Sequence, residues 1–279
     1  MKKGFMRMVL GTMSLLALAA CGNTSGTANS AATDGSSGAL QEIKDSGKLV
    51  MGTSADYPPY EWHLIKDGKD EIIGFDIDIA QAIADELGVE LEIKDMDFDG
   101  LIPALTTGKI DIIIAGMNAT EERKQSVDFT DVYYTQTDIV VIRKEDADKF
   151  TSEDSLKTAA LATQKATVQE TYLLETFPDA EIQSVPKWNT AIMSLTTGKV
   201  DAVMMVDTVA KQFIAQNDDL MVANFDINST PNAAAIAVAK NGGDFLETVN
   251  NIVNEMKESG KIEELYQLND QIVTDNTAE

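Results

Sequence analysis

Cysteine is almost missing from this chain. Cys21 is the single one in 279 residues, so no disulfide can form within the molecule and its stability must come from a packed core. Histidine is as scarce. His63 stands alone, in a stretch (H-L-I-K-D-G-K-D-E) that reads as a hairpin turning at Asp67-Gly68, and without a Ser or Cys partner pattern it reads as a surface residue. No metal-ligand spacing, P-loop or dinucleotide fingerprint occurs, so neither a metal nor a cofactor is expected. Positive charge is also short: 22 Lys and Arg face 46 Asp and Glu, for a net charge of −24. Such a surface repels nucleic acid and anionic lipid and favours solubility. Long apolar runs are lacking as well. Residues 9–20 form the one extended apolar stretch, too short to span a bilayer stably.

That stretch follows a basic start (Lys2, Lys3, Arg7) and ends in small residues, the pattern of a secretory signal over residues 1–20. Its end, Leu18-Ala19-Ala20-Cys21, resembles a bacterial lipobox, in which the cysteine is lipidated after cleavage; the other reading is a plain signal with an incidental cysteine. Without the signal's three cations the net charge becomes −27. Residues 21–39 are small, polar and aperiodic, and read as a lipid-anchored flexible linker. The expected location is the outer face of the bacterial cytoplasmic membrane, on the periplasmic side if the cell has an outer membrane.

From residue 40 the pattern changes to alternating short apolar strands and helices, β-α-β-α-β, which predicts an α/β fold with a parallel sheet covered on both faces. Asp99 and Asn189 are placed to cap helices. An internal repeat organises the rest. L-T-T-G-K-I-D (residues 105–111) recurs as L-T-T-G-K-V-D (residues 195–201), and in both copies an apolar strand follows. Two lobes of similar topology are expected: residues 40–141 plus 232–279, and residues 142–231. The two crossings between them would form a hinge.

Beyond the first repeat's strand comes A-G-M-N-A-T-E-E-R-K-Q-S-V-D-F (residues 115–129). Arg123 lies just past the C-terminal end of that strand, where open α/β sheets bind ligands. Guanidinium suits a planar carboxylate, with two parallel hydrogen bonds; equally, Arg123 could pair with Glu121 or Glu122 on the surface. The repeat places Asp207 at the matching end of the second lobe, either as the opening of the next helix or as an anion facing Arg123. In the second case, one fixed cation and one fixed anion on different lobes match a zwitterionic α-amino acid.

Four segments resemble the family 3 extracellular solute-binding proteins, the receptors of polar amino acid ABC importers. They are G-T-S-A-D-Y-P-P-Y-E (52–61), I-I-G-F-D-I-D-I-A (72–80), A-G-M-N-A-T-E-E-R-K-Q-S-V-D-F-T-D-V-Y-Y (115–134) and G-K-V-D-A-V-M-M-V-D (198–207). The resemblance implies two doubly wound lobes joined by a two-strand hinge, the periplasmic-binding-protein type II or Venus-flytrap fold. It implies that Arg123 grips the ligand carboxylate and Asp207 its ammonium, and that Tyr57 and Phe98 form side-chain walls. Gly116, Asn118 and Thr167 would make polar contacts. Ser54, Glu61 and Trp62 are candidates for the side-chain pocket, which could take a cationic or a neutral polar side chain. Three departures stand out: Asn118 for Thr or Ser, Ala166 for Gly, and Val168 for Thr. At Ala166 a positive φ would bring strain.

The expectation is therefore a monomeric, non-enzymatic receptor, held to the membrane by its lipid anchor alone. It would bind one polar L-α-amino acid and deliver it to an ABC permease and its ATPase. Two alternatives remain open. One is an exported dehydratase-like enzyme on the same scaffold, with Glu61 or Asp56 as general acid. The other is a ligand-sensing module without transport.

Overall fold

The computed structural model describes residues 38–277. The expected signal, Cys21 and nearly all of the expected linker lie outside the described residues. The linker was expected to run to residue 39, but a helix, Gly38–Ser46, already opens there.

Two five-stranded mixed sheets form the two lobes. In the first, Lys48–Thr53 is flanked by Glu90–Asp95 and Ile112–Ile113, all parallel. Ala237–Ala239 and Val127–Phe129 complete it in antiparallel register. In the second, Ala160–Gln164 is flanked by Glu181–Val185 and Ala202–Val206, again parallel, and Asp138–Arg143 and Leu220–Val222 complete it antiparallel. The strand order is the same in both. In each sheet the strand antiparallel to the parallel three is the one that has just crossed from the other lobe.

The repeated L-T-T-G-K segment explains this likeness physically. Gly108 (φ 68°) and Gly198 (φ 72°) end their helices in the left-handed conformation that only Gly adopts cheaply. The Asp that closes each copy then pins the first strand of its lobe. Asp111 Oδ2 accepts from Val50 N at 2.8 Å, and Asp201 Oδ2 from Ala160 N at 3.0 Å.

The lobes are joined by a two-stranded ribbon of Tyr134–Gln136 against Asn232–Ala234. Asp138–Arg143 is already paired into the second sheet, so the first crossing precedes it, a few residues ahead of the expected boundary at 141. The final helix, Lys261–Thr277, touches both lobes: Asn269 donates to Asp78 at 2.6 Å and Asp270 accepts from Gln212 at 2.9 Å. Packed rings of Tyr60, Phe75, Tyr134 and Tyr266 fill the space below the ribbon.

Two expected caps are replaced. Asp99 makes no cap hydrogen bond and instead meets Lys165 of the other lobe at 2.7 Å. Helix Trp188–Thr196 takes its cap not from Asn189 but from Asp56, whose Oδ2 accepts from Trp188 N at 2.5 Å across the cleft. A carboxylate at a helix N-terminus is favoured by the macrodipole and by the free N–H groups there.

Candidate functional site

A cavity lies between the lobes. Eight of the expected site residues line it: Ser54, Tyr57, Glu61, Phe98, Gly116, Asn118, Arg123 and Thr167. Ala115, Gln164, Val168, Gln169, Trp188 and Asn232 line it too, and sequence reasoning did not assign them to it. Of these, Gln164, Val168 and Gln169 flank Thr167 in one segment, a signal that was available. The Trp188 ring stacks on Tyr57 at 6.0 Å between centroids.

Arg123 sits on a short 3-10 turn, Arg123–Gln125. Its Nη1 donates to Asn118 O at 2.8 Å and its Nη2 to Ala166 O of the opposite lobe at 2.7 Å. The guanidinium lies 5.3 Å from the centre of the Phe98 ring, a cation–π distance. Among the described residues no carboxylate forms an ion pair with it, and Glu121 is taken by Lys124 at 2.8 Å. The surface-pair reading with Glu121 therefore fails. Burial lowers the Arg123 pKa to about 10, with Glu122 opposing weakly. The site holds a desolvated cation whose neighbours are neutral acceptors.

The opposite lobe meets it with a strained loop. Ala166 has φ 62°, a conformation that costs a non-Gly residue about 1 kcal/mol. Reciprocal hydrogen bonds hold the loop. Thr167 Oγ1 accepts from Glu170 N at 3.2 Å, and Glu170 Oε2 accepts from Ala166 N at 2.6 Å, a capping box that begins helix Val168–Thr176.

Glu61 is 1% exposed, and its Oε2 has no partner. Burial and the nearby Asp76 and Asp56 push its pKa well above the carboxylate range. Burial likewise raises Asp76 to about 7, although Gly116 N and the Tyr133 hydroxyl both donate to it. The Gly116 N–H is thus spent on Asp76, and only its carbonyl remains for a ligand. A side chain at Gly116 would be strained: with φ 55°, a Cβ there would lie 3.0 Å from the Tyr57 ring.

Two expected residues are not brought to the cavity. Trp62 follows Glu61 in the strand Glu61–Lys66, and side chains alternate faces along a strand. Asp207 opens helix Asp207–Ala215 and lies 3.3 Å from Lys211. The repeat offset of ninety pairs Asp207 with Met117, which is 1% exposed and also absent from the lining. His63 is on the hairpin as expected, 2.8 Å from Asp70 and 3.5 Å from Asp95.

Closure is reinforced beside the cavity. Lys187 of the second lobe reaches Asp95 Oδ1 at 3.1 Å, and Ser54 Oγ and Met96 O each at 3.3 Å. Asp56, capping the helix next to it, is raised to about 6 by burial despite Lys187.

The model of the bacterial extracellular solute-binding proteins, family 3, matches residues 49–268. The chain belongs to this family. It is 34% identical over 256 residues to the arginine-binding extracellular protein ArtP of Bacillus subtilis, covering 90% of this chain and 94% of that one. It is 33% identical to a probable histidine-binding protein of Campylobacter jejuni, covering 92% and 95%. Among solved structures, an amino acid ABC transporter substrate-binding protein from Streptococcus pneumoniae bound to L-arginine superposes with a TM-score of 0.80. That protein is 40% identical, with coverage of 84% and 98%. These relatives are named as amino-acid-binding proteins, the last of them for an ABC transporter, and the chain is a solute-binding protein, not an enzyme.

Proposed function

We propose that this family 3 protein is the receptor of an ABC importer for a cationic L-α-amino acid, with arginine the first candidate. The observation that carries the reading is Arg123: a half-buried guanidinium that lines the cavity and, among the described residues, pairs with no carboxylate. A ligand carboxylate supplies the missing anion through charge-assisted hydrogen bonds. Glu61 supports a cationic side chain. Its unpartnered buried oxygen is an acceptor that a guanidinium or ammonium satisfies. Tyr57, Phe98 and Trp188 offer the aromatic walls between which an extended side chain can lie. The relatives named for arginine support the same choice.

The mechanism is a population shift. Contacts to both lobes favour the closed form, and turning a mostly open ensemble into a mostly closed one takes about 5.5 kcal/mol of differential binding. Arg123 bridging to Ala166 and Lys187 bridging to Asp95 belong to the closed form. A lipid anchor at Cys21 would keep the monomeric receptor beside its permease and ATPase. Calorimetry of the purified protein against the twenty amino acids tests the reading. Tight binding of L-arginine with weak binding of acidic amino acids is expected; no binding of any amino acid would sink it.

A further inference from the structure

Helix Trp188–Thr196 of the second lobe begins without a cap of its own. Its N-cap residue is Lys187, whose ammonium has no acceptor to offer the free N–H groups of the first turn. Helix Val168–Thr176 of the same lobe is instead capped from within, by Thr167. For Trp188–Thr196 the acceptor comes from the first lobe: Asp56 Oδ2 takes the N–H of Trp188, and the N–H of Asn189 helps to hold the charge. Among the described residues the Asp56 carboxylate has no hydrogen-bond partner in its own lobe, and its Oδ1 has none at all. Lys187 answers in the opposite direction, with Nζ crossing to Ser54 Oγ, Asp95 Oδ1 and Met96 O. The two side chains trade lobes, each supplying what the far side lacks. Asp56 is 8% exposed and Trp188 2%, so the cap is shut off from water. Its place ties it to the ligand: Tyr57 follows Asp56 and lines the cavity, and the Trp188 ring stacks on Tyr57. One residue of the first lobe holds the N–H of Trp188, and the next holds its ring.

We propose that Asp56 is a positioning residue that caps helix Trp188–Thr196 only in the closed form, seating Trp188 against Tyr57 as a wall of the ligand pocket. With the cleft open, the first-turn N–H groups face water and the helix is uncapped. Closure replaces that water with a carboxylate at the positive end of the helix. Asp56 does not line the cavity, so the cap favours closure equally for every ligand and is lost each time the cleft opens. This inference rests on the amino acid receptor reading above.

The test combines calorimetry with amide hydrogen exchange by NMR on the full-length protein. The probe is the tightest binder among the twenty amino acids, expected to be L-arginine. Asp56→Ala should weaken it about three- to thirtyfold, the range of a lost helix cap, and by the same factor for every amino acid that binds. Asn caps as well as Asp, so Asp56→Asn should stay within threefold of wild type. Without ligand, the Trp188 amide should exchange equally fast in wild type and Asp56→Ala. With saturating ligand it should exchange at least tenfold faster in Asp56→Ala, while the amides of strand Ala202–Val206 keep their rates. If Asp56→Ala does not fold, wild type alone decides, because its Trp188 amide must slow at least tenfold when ligand binds. A Trp188 amide already protected without ligand would make the cap permanent and overturn the inference. So would an Asp56→Ala affinity within threefold of wild type, or a loss confined to one amino acid; each leaves the receptor reading intact. Wild-type protein that binds no amino acid would overturn both.

Discussion

Replacing Arg123 with Met separates recognition from folding. The fall of its pKa from the ordinary guanidinium value to about 10 corresponds to about 3 kcal/mol of lost hydration, at 1.36 kcal/mol for each tenfold. Against this stand two hydrogen bonds to carbonyls, each about 1.5 kcal/mol, and the contact with the Phe98 ring, about 1 kcal/mol. Gain and cost nearly cancel, so the unliganded variant should melt within about 4 °C of wild type, by the size scaling of about 2–4 °C per kcal/mol. Ligand binding should behave differently. Two charge-assisted bonds to a carboxylate contribute about 3–6 kcal/mol, a loss of roughly 10²- to 10⁴-fold in affinity. Differential scanning calorimetry with and without L-arginine reads both quantities. A variant that keeps its affinity within tenfold would refute the carboxylate role. A fall in unliganded melting temperature beyond about 10 °C would instead make Arg123 a structural residue.

Three further outcomes are expected. Glu61→Gln should weaken L-arginine by roughly ten- to a hundredfold, as for a lost bond to a charged group, and a neutral amino acid much less; calorimetry showing equal losses would contradict the side-chain role. Glu61 and Asp76 hold protons in the folded, unliganded protein that the unfolded chain releases above about pH 4. The stabilising contribution of Asp76 is thus full below that pH and is lost as pH rises through about 7, and that of Glu61 is lost above the ordinary carboxylate range. A cationic ligand favours their ionised form, so its affinity should rise from pH 5 to 8 with proton release. Binding heats that do not vary with buffer ionisation enthalpy would disprove this coupling. Lys187→Met removes a bridge to Asp95, Ser54 and Met96 O and should speed ligand dissociation about three- to tenfold, as for a partly exposed ion pair. Stopped-flow rates matching wild type would place closure elsewhere.

Features encoded locally were the ones legible in the sequence. The L-T-T-G-K repeat announced two like lobes because each copy performs the same local tasks, a left-handed helix stop and an Asp that pins a strand. Arg123 stood out because it follows a buried strand. Asp207 opens the next helix, as its place after an apolar strand suggested. Asp56 was missed as a cap because its helix lies 132 residues away. The Asp138–Asn232 pair, 94 residues apart, leaves no local trace either. Glu61 was noticed, but its burial beside Asp76 depends on how the hairpin folds onto helix Phe75–Leu87, which periodicity does not encode.

The hinge ribbon has a topological consequence. Gln136 and Asn232 are register partners, so the chain leaves the first lobe and re-enters it at adjacent points. Everything between them is, in construction, a cassette set into an otherwise continuous host. The strap that receives Gln212 from the cassette comes from the host's last helix, so a transplanted second lobe would need Gln212 or an equivalent donor to seat against it. Exchanging residues 137–231 between two receptors would therefore leave Arg123, Glu61 and the aromatic wall of Tyr57 with the host and carry Thr167 and Trp188 with the insert.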